Sequence, residues 1–180
     1  MRAFPLSFLF KERNMITVSP VSDKTQSQFE KLFTQYYGEL GCEDDVPHLL
    51  SEYVLPDLKA GLISADILFD GENFIGFIIY QLDDIDNEWC HREGWGDIRE
   101  IFVLPQNRGQ GLGKFLILTA EFRLKERGVN KSYCLPAEGT EKFFEKCGYK
   151  KVGLYNEELD CFVYEKTQLN PPCNCGKNGF

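Results

Sequence analysis

The segment best equipped for chemistry is Arg108-Gly109-Gln110-Gly111-Leu112-Gly113-Lys114. Glycines at alternate positions let a backbone turn sharply and bare its N–H groups. Where such a turn opens a helix, those groups and the helix N-terminus form an anion site. Arg108 and Lys114 add positive charge, and residues 101–120 contain no Asp or Glu. At the chain's average acidity a stretch of that length would carry about 3. The result is a positive turn on a negative protein, suited to a pyrophosphate. Just upstream stands Glu100, a carboxylate of the kind that takes a proton from an ammonium.

Two common phosphate loops do not fit. A P-loop needs Gly where Arg108 stands and Ser or Thr where Phe115 stands, and a Rossmann turn needs its third Gly at Lys114. Neither ATP nor NAD is favoured.

These residues must be positioned by the elements around them. Residues 15–22 read as a strand, and Asp23 can cap a helix running to about Tyr37. Residues 46–60 read as a second helix, kinked or split at Pro56. Strands follow at 65–69 and 74–82, joined by the Asp70-Gly71-Glu72-Asn73 turn; the second is apolar on both faces, as for a strand covered by helices. A polar excursion with acidic residues Asp83, Asp84, Asp86 and Glu88 precedes a strand at 97–103. By alternation, Ile98, Glu100 and Phe102 share one face of it, and Arg99, Ile101 and Val103 the other. The helix after the glycine turn spans about 111–127, with Leu112, Phe115, Leu116, Ala120 and Leu124 as its apolar stripe. A strand at 131–135, a helix at 140–147 and strands at 149–155 and 161–166 complete the order. The expected fold class is α/β (mixed α+β): a central mixed, mostly antiparallel twisted sheet of six to seven strands with helices on both faces.

The turn resembles the phosphate loop of the GNAT superfamily of acyl-CoA-dependent N-acyltransferases, whose pattern is Gln/Arg-x-x-Gly-x-Gly/Ala. Arg108, Gly111 and Gly113 match it in register. The resemblance extends upstream through Ile98-Arg99-Glu100-Ile101-Phe102-Val103-Leu104-Pro105 and downstream to Phe143-Phe144-Glu145-Lys146-Cys147-Gly148-Tyr149. The element order over residues 15–166 is similar too. The resemblance implies acetyl-CoA as co-substrate, held by Ile101, Phe102 and Val103, by the loop residues Arg108, Gly109, Gln110, Gly111, Leu112, Gly113 and Lys114, and by Phe144. It implies transfer of an acetyl group to a primary amine by direct attack on the thioester, with Glu100 as base and a backbone N–H near Phe102 and Val103 polarising the carbonyl. Phe144 stands where many relatives carry a Tyr that protonates the leaving thiolate, and Ala137 where many carry an Asn that contacts CoA. Tyr149, Tyr133 or water could supply that proton. The same two departures are compatible with a non-catalytic CoA-binding sensor or scaffold of the same fold.

Bulk composition narrows the partners. The chain has 180 residues, 28 Asp and Glu against 20 Lys and Arg, and a net charge of −8. A nucleic-acid binder presents a basic face, so neither nucleic acid nor an anionic membrane is an expected partner, whereas a cationic small-molecule or peptide amine is. A homodimer is compatible with the sequence. Seven cysteines, an odd number, fit reduced thiols in a cytoplasmic protein. Cys173-x-Cys175 lacks the two further nearby ligands that a structural metal site uses, so no metal is expected. Residues 1–14 form an N-terminal extension, residues 15–166 the GNAT-like domain and residues 167–180 a flexible tail; whether Met1 or Met15 is the start is left open.

Overall fold

The computed structural model describes residues 15–85 and 90–169. The expectations for residues 1–14, for Asp86 and Glu88, and for the tail from residue 170 with Cys173 and Cys175 lie outside them. Seven strands form one sheet in the order β1-β2-β3-β4-β5-β7-β6. They are β1 (Ile16–Pro20), β2 (Ser64–Asp70), β3 (Asn73–Leu82), β4 (Gly96–Val103), β5 (Ser132–Cys134), β6 (Lys150–Asn156) and β7 (Cys161–Lys166). Every neighbouring pair is antiparallel except β4–β5, which is parallel and only three residue pairs long, from Gly96–Ser132 to Ile98–Cys134.

Helices cover both faces, as the two-sided apolar pattern of β3 requires. On one face lies α1 (Gln26–Glu39), whose Phe29, Leu32, Phe33, Tyr36 and Tyr37 recur at helical spacing. Phe29 packs edge-on to Phe77 of β3 at 5.3 Å, and Tyr36 lies 5.7 Å from Phe102 of β4. The α1 start differs from expectation. Asp23 makes no cap; instead the Ser22 N–H donates to Thr25 Oγ1 at 2.9 Å, and the Ser22 carbonyl accepts from Thr25 and Gln26.

Beside α1 run α2 (Val46–Leu49), a π-helical turn (Leu50–Val54) and α3 (Leu55–Ala60). The irregularity expected at Pro56 falls upstream of it. Proline has no N–H to return to the carbonyl four residues earlier, and the turn widens so that the Leu55 N–H bonds the Leu50 carbonyl.

The opposite face carries α4 (Leu112–Glu126) and α5 (Glu141–Lys146). The buried stripe of α4 is Leu116, Ile117, Ala120, Glu121 and Leu124; Phe115, expected inside, is 40% exposed. A carboxylate in that stripe needs a partner. Lys166 of β7 supplies it, bonding Glu121 Oε1 at 2.7 Å, Oε2 at 2.8 Å and the Cys147 carbonyl at 2.9 Å. The chain continues past β7 against the body: Leu169 is buried and its N–H donates to the Asn130 carbonyl, so the first residues assigned to the tail are anchored.

Candidate active site

Strand β4 departs from simple alternation, and that departure builds the site. Opposite β3, Ile79 pairs Glu100 while Tyr80 pairs Ile98, which leaves Arg99 as an inserted residue, a β-bulge. The insertion flips the strand's faces. Ile98 enters the core beneath α4 with Tyr80 and Leu116, whereas Glu100 and Phe102 turn toward α1. Ile98 and Glu100, expected on one face, therefore lie on opposite faces. The alternation rule fails here because a bulge has no signature in a strand of mixed polarity.

Glu100 is partly exposed, and its carboxylate is held from α1. Tyr37 Oη donates to Oε1 at 3.2 Å, and the Tyr36 phenol stands beside the same carboxylate. Burial pushes the Glu100 pKa up, while the two phenols and the neighbouring Arg99 charge oppose the rise. The rings of Tyr36 and Tyr37, 5.1 Å apart, continue the aromatic wall of α1, so packing fixes where their hydroxyls point. Neither tyrosine was singled out from the sequence; the available signal was two polar-tipped rings at the end of an apolar helical stripe.

Beside Glu100 the sheet opens. Past Ile98, β4 has no strand on its β5 side among the described residues. In an antiparallel pair each residue turns both backbone groups to the same side, in alternation. The Leu104 N–H bonds Ile75 on β3, and the Phe102 carbonyl presses on Gly76 of β3, where a Cβ would stand 2.5 Å from it. The groups of Ile101 and Val103 therefore face the open edge, and Phe102 turns its backbone away. Of the three β4 residues expected to present N–H groups to a ligand, two have the required direction.

The glycine turn follows at the end of β4. Gly109 and Gly111 have φ of 78° and 81°, left-handed values that favour glycine. Gly111 is the N-cap of α4, whose first turn carries no acid. A Cβ at either glycine would meet nothing within 4 Å, so the space over the turn is open, whereas a Cβ at Gly113 would stand 3.1 Å from the Phe143 ring. Gln110 and Lys114 are exposed and Leu112 is packed on the core beneath. The donor set fits CoA: a strand edge for the pantetheine amides and a bare-backbone helix N-terminus for the pyrophosphate.

Arg108 points elsewhere. Its Nε donates to the Val103 carbonyl at 2.8 Å and its Nη2 pairs with Glu39 at the end of α1 at 2.6 Å. The local positive charge read from the sequence is thus partly met by Glu39, an acid distant in the chain. Phe144 is buried edge-on to Phe143 and Tyr149 and offers the open edge no polar atom. The two tyrosines considered as its replacement have their hydroxyls engaged in other bonds. Tyr149 shares one with Ser132 Oγ at 2.7 Å, and Tyr133 donates to Asp83 at 2.7 Å. Burial pushes both phenols up.

Asp83, read as part of a polar excursion, is almost wholly buried. It accepts from Gln81 Nε2, Tyr133 Oη and the N–H groups of His91 and Arg92, and so ties the loop to the sheet. Its neighbour Asp97 is pushed up to about 8, by burial first and by the Asp83 charge second.

The comparisons with known proteins agree with this geometry. Residues 27–149, more than half of the chain, match the acetyltransferase (GNAT) family. An uncharacterised N-acetyltransferase of Chlorobaculum tepidum is 38% identical over 56 residues; that match spans 31% of this chain and 35% of the relative. Among solved structures, the PaiA N-acetyltransferase of Thermoplasma acidophilum in complex with coenzyme A has a TM-score of 0.67 at 18% identity, covering 85% of this chain and 99% of that one. The aminoglycoside acetyltransferase AAC(6')-Ib in complex with coenzyme A has a TM-score of 0.65 at 15% identity, covering 85% and 95%. At such identities these two establish the fold. Together with the match over residues 27–149, the open β4 edge and the glycine-rich turn place the chain in the GNAT family of N-acetyltransferases.

Proposed function

We propose that the protein transfers an acetyl group from acetyl-CoA to a primary amine by direct attack on the thioester, with Glu100 as the base. The observation that carries this reading is a carboxylate held by the Tyr37 phenol, with Tyr36 at its side, next to a strand edge that has no neighbouring strand among the described residues. Ile101 and Val103 would hold the pantetheine arm and residues 109–113 the pyrophosphate, and the bound thioester supplies an activated acetyl group. An alkylammonium has a pKa near ~10.4 and must lose a proton before it attacks. Glu100 accepts that proton, directly or through a water, and its burial-raised pKa makes it a better base than an exposed carboxylate. A backbone N–H on the open edge donates to the carbonyl oxygen as negative charge grows there. The nitrogen bonds the acetyl carbon as the C–S bond breaks. A thiolate with a pKa near ~8.5 departs without a protein acid, consistent with Phe144 and with the engaged hydroxyls of Tyr133 and Tyr149.

Calorimetric titration of acetyl-CoA into the wild type and an Arg108→Ala/Gly111→Asp variant tests the cofactor site. Binding to the wild type that the variant loses is expected; a folded wild type that binds no acetyl-CoA overturns the reading. Thiol release with an amine, lost below neutral pH in Glu100→Gln with acetyl-CoA binding retained, tests the base.

A further inference from the structure

Strand β6 is the last in the sheet, and no strand pairs with its outer side among the described residues. An open edge is a template for another chain, which proteins cover or blunt. Here the edge carries apolar side chains. Of the nine large hydrophobic residues exposed among the described ones, four fall between positions 154 and 162: Leu154, Tyr155, Leu159 and Phe162. The Tyr155 and Phe162 rings meet edge-on at 5.0 Å. Hydrophobic residues scattered singly over a surface need no explanation, whereas a cluster at a sheet edge marks a contact.

The charges on this edge are sorted along it. Lys150 and Lys151 open β6, and Glu157, Glu158 and Asp160 follow its end. Asp160 accepts from Tyr155 Oη, and Lys151 Nζ lies 3.5 Å from the centre of the Phe162 ring. The side chains of Lys150, Glu157 and Glu158 are exposed and have no ion-pair partner among the described residues. At ~3.3 Å per residue the two ends stand about 20 Å apart, too far to pair within one chain. A basic end and an acidic end make an edge that complements itself when a copy runs the opposite way. The β6–β7 ladder breaks between Lys151 and Tyr155, where three residues of β6 face one of β7. Such a bulge disfavours a continuous ladder with a further strand, so a contact along this edge is made by side chains.

We infer that the β6–β7 hairpin is the docking surface for a second copy of this chain, the two copies meeting about a two-fold axis close to Leu154. Leu154 stands midway between Lys150 and Glu158 in the chain, so at the axis it meets its own counterpart. Lys150 and Lys151 of each copy then lie against the partner's Glu157 and Glu158, whereas a parallel approach sets like charges together. A patch that complements itself closes at two chains and does not run on into a filament. The inference stands independently of the acyl-transfer reading.

The test is sedimentation equilibrium of the full chain at physiological salt, up to about 100 μM. A species of twice the 20.8 kDa chain mass is expected. Leu154→Asp, at a side chain 52% exposed in the single chain, is expected to leave monomer alone. Lys150→Glu and Glu158→Lys are each expected to weaken association about tenfold, because the axis repeats every change. Glu158→Lys lowers the net negative charge, so general repulsion between acidic chains predicts the opposite sign for it. Lys150→Glu/Glu158→Lys exchanges the two charges and is expected to return to within about threefold of the wild type. A wild type that stays monomeric or grows beyond a dimer overturns the assignment. So does a dimer indifferent to Leu154→Asp, one that Glu158→Lys tightens, or a double variant no stronger than the single ones.

Discussion

Tyr37→Phe removes one hydroxyl and nothing else from the site. The ring stays in its stack, 4.7 Å from Phe33 and 5.1 Å from Tyr36, while the 3.2 Å donor to Glu100 disappears. A hydrogen bond to a charged group is worth about 1.5–3 kcal/mol, and the length here argues for the lower figure. The bond favours the ionised form, so its loss raises the Glu100 pKa further and leaves less free base at any pH below it. At about 1.4 kcal/mol per tenfold, kcat/KM on the acidic side of the profile should fall roughly tenfold, with the alkaline plateau unchanged. Adding Tyr36→Phe should deepen the loss in the same pH region. The assay is thiol release across pH at subsaturating amine, with acetyl-CoA affinity measured in parallel. A drop equal at all pH values would mean the hydroxyl acts through structure alone, and an unchanged profile would detach α1 from the chemistry; either refutes the reasoning.

Lys166→Met strands Glu121 in the core and should cost about 3–5 kcal/mol in urea unfolding, most of it restored in Lys166→Met/Glu121→Leu; additive losses would show that the pair is not coupled. Asp97 has a folded-state pKa of about 8 against an ordinary 3.8, so its contribution to stability is complete below the lower value and is lost as pH rises through the upper one. Asp97→Asn should flatten the decline in unfolding free energy between pH 4 and pH 8, and an unaltered slope would assign that decline to other groups. Glu39→Gln frees Arg108 from an exposed pair worth no more than about 1 kcal/mol. Acetyl-CoA should then bind up to about fivefold more tightly at low salt, with the gain vanishing at high salt; weaker binding would mean that Glu39 orients Arg108 for the ligand.

The elements proposed to face the cofactor were legible because local rules govern them: glycines at positive φ, an acid-free helix start and a strand leading into the turn. The sheet, its two-sided cover and nearly every element followed from periodicity. What stayed hidden depends on groups far apart in the chain. The Arg99 bulge became visible only when β4 was registered against β3, and with it the true face of Ile98. Glu39 and Arg108 are brought together by tertiary packing, as are Glu121 and Lys166. Asp83 read as surface because composition reports polarity and not the four donors that would bury it.

The three-pair seam between β4 and β5 also bears on how the molecule is assembled. Strands β1 to β4 lie in chain order and pair antiparallel, while β5, β6 and β7 join them through one short parallel contact reached by the α4 crossover. The protein is thus two subassemblies with an unfinished ladder between them, and a ligand whose amides lie along β4 supplies the missing rungs. On the proposed reading acetyl-CoA would be a mortar as well as a reactant. Amide hydrogens of residues 132–134 should exchange more slowly once it is bound, even though the contacts proposed for it are on the other side of the split.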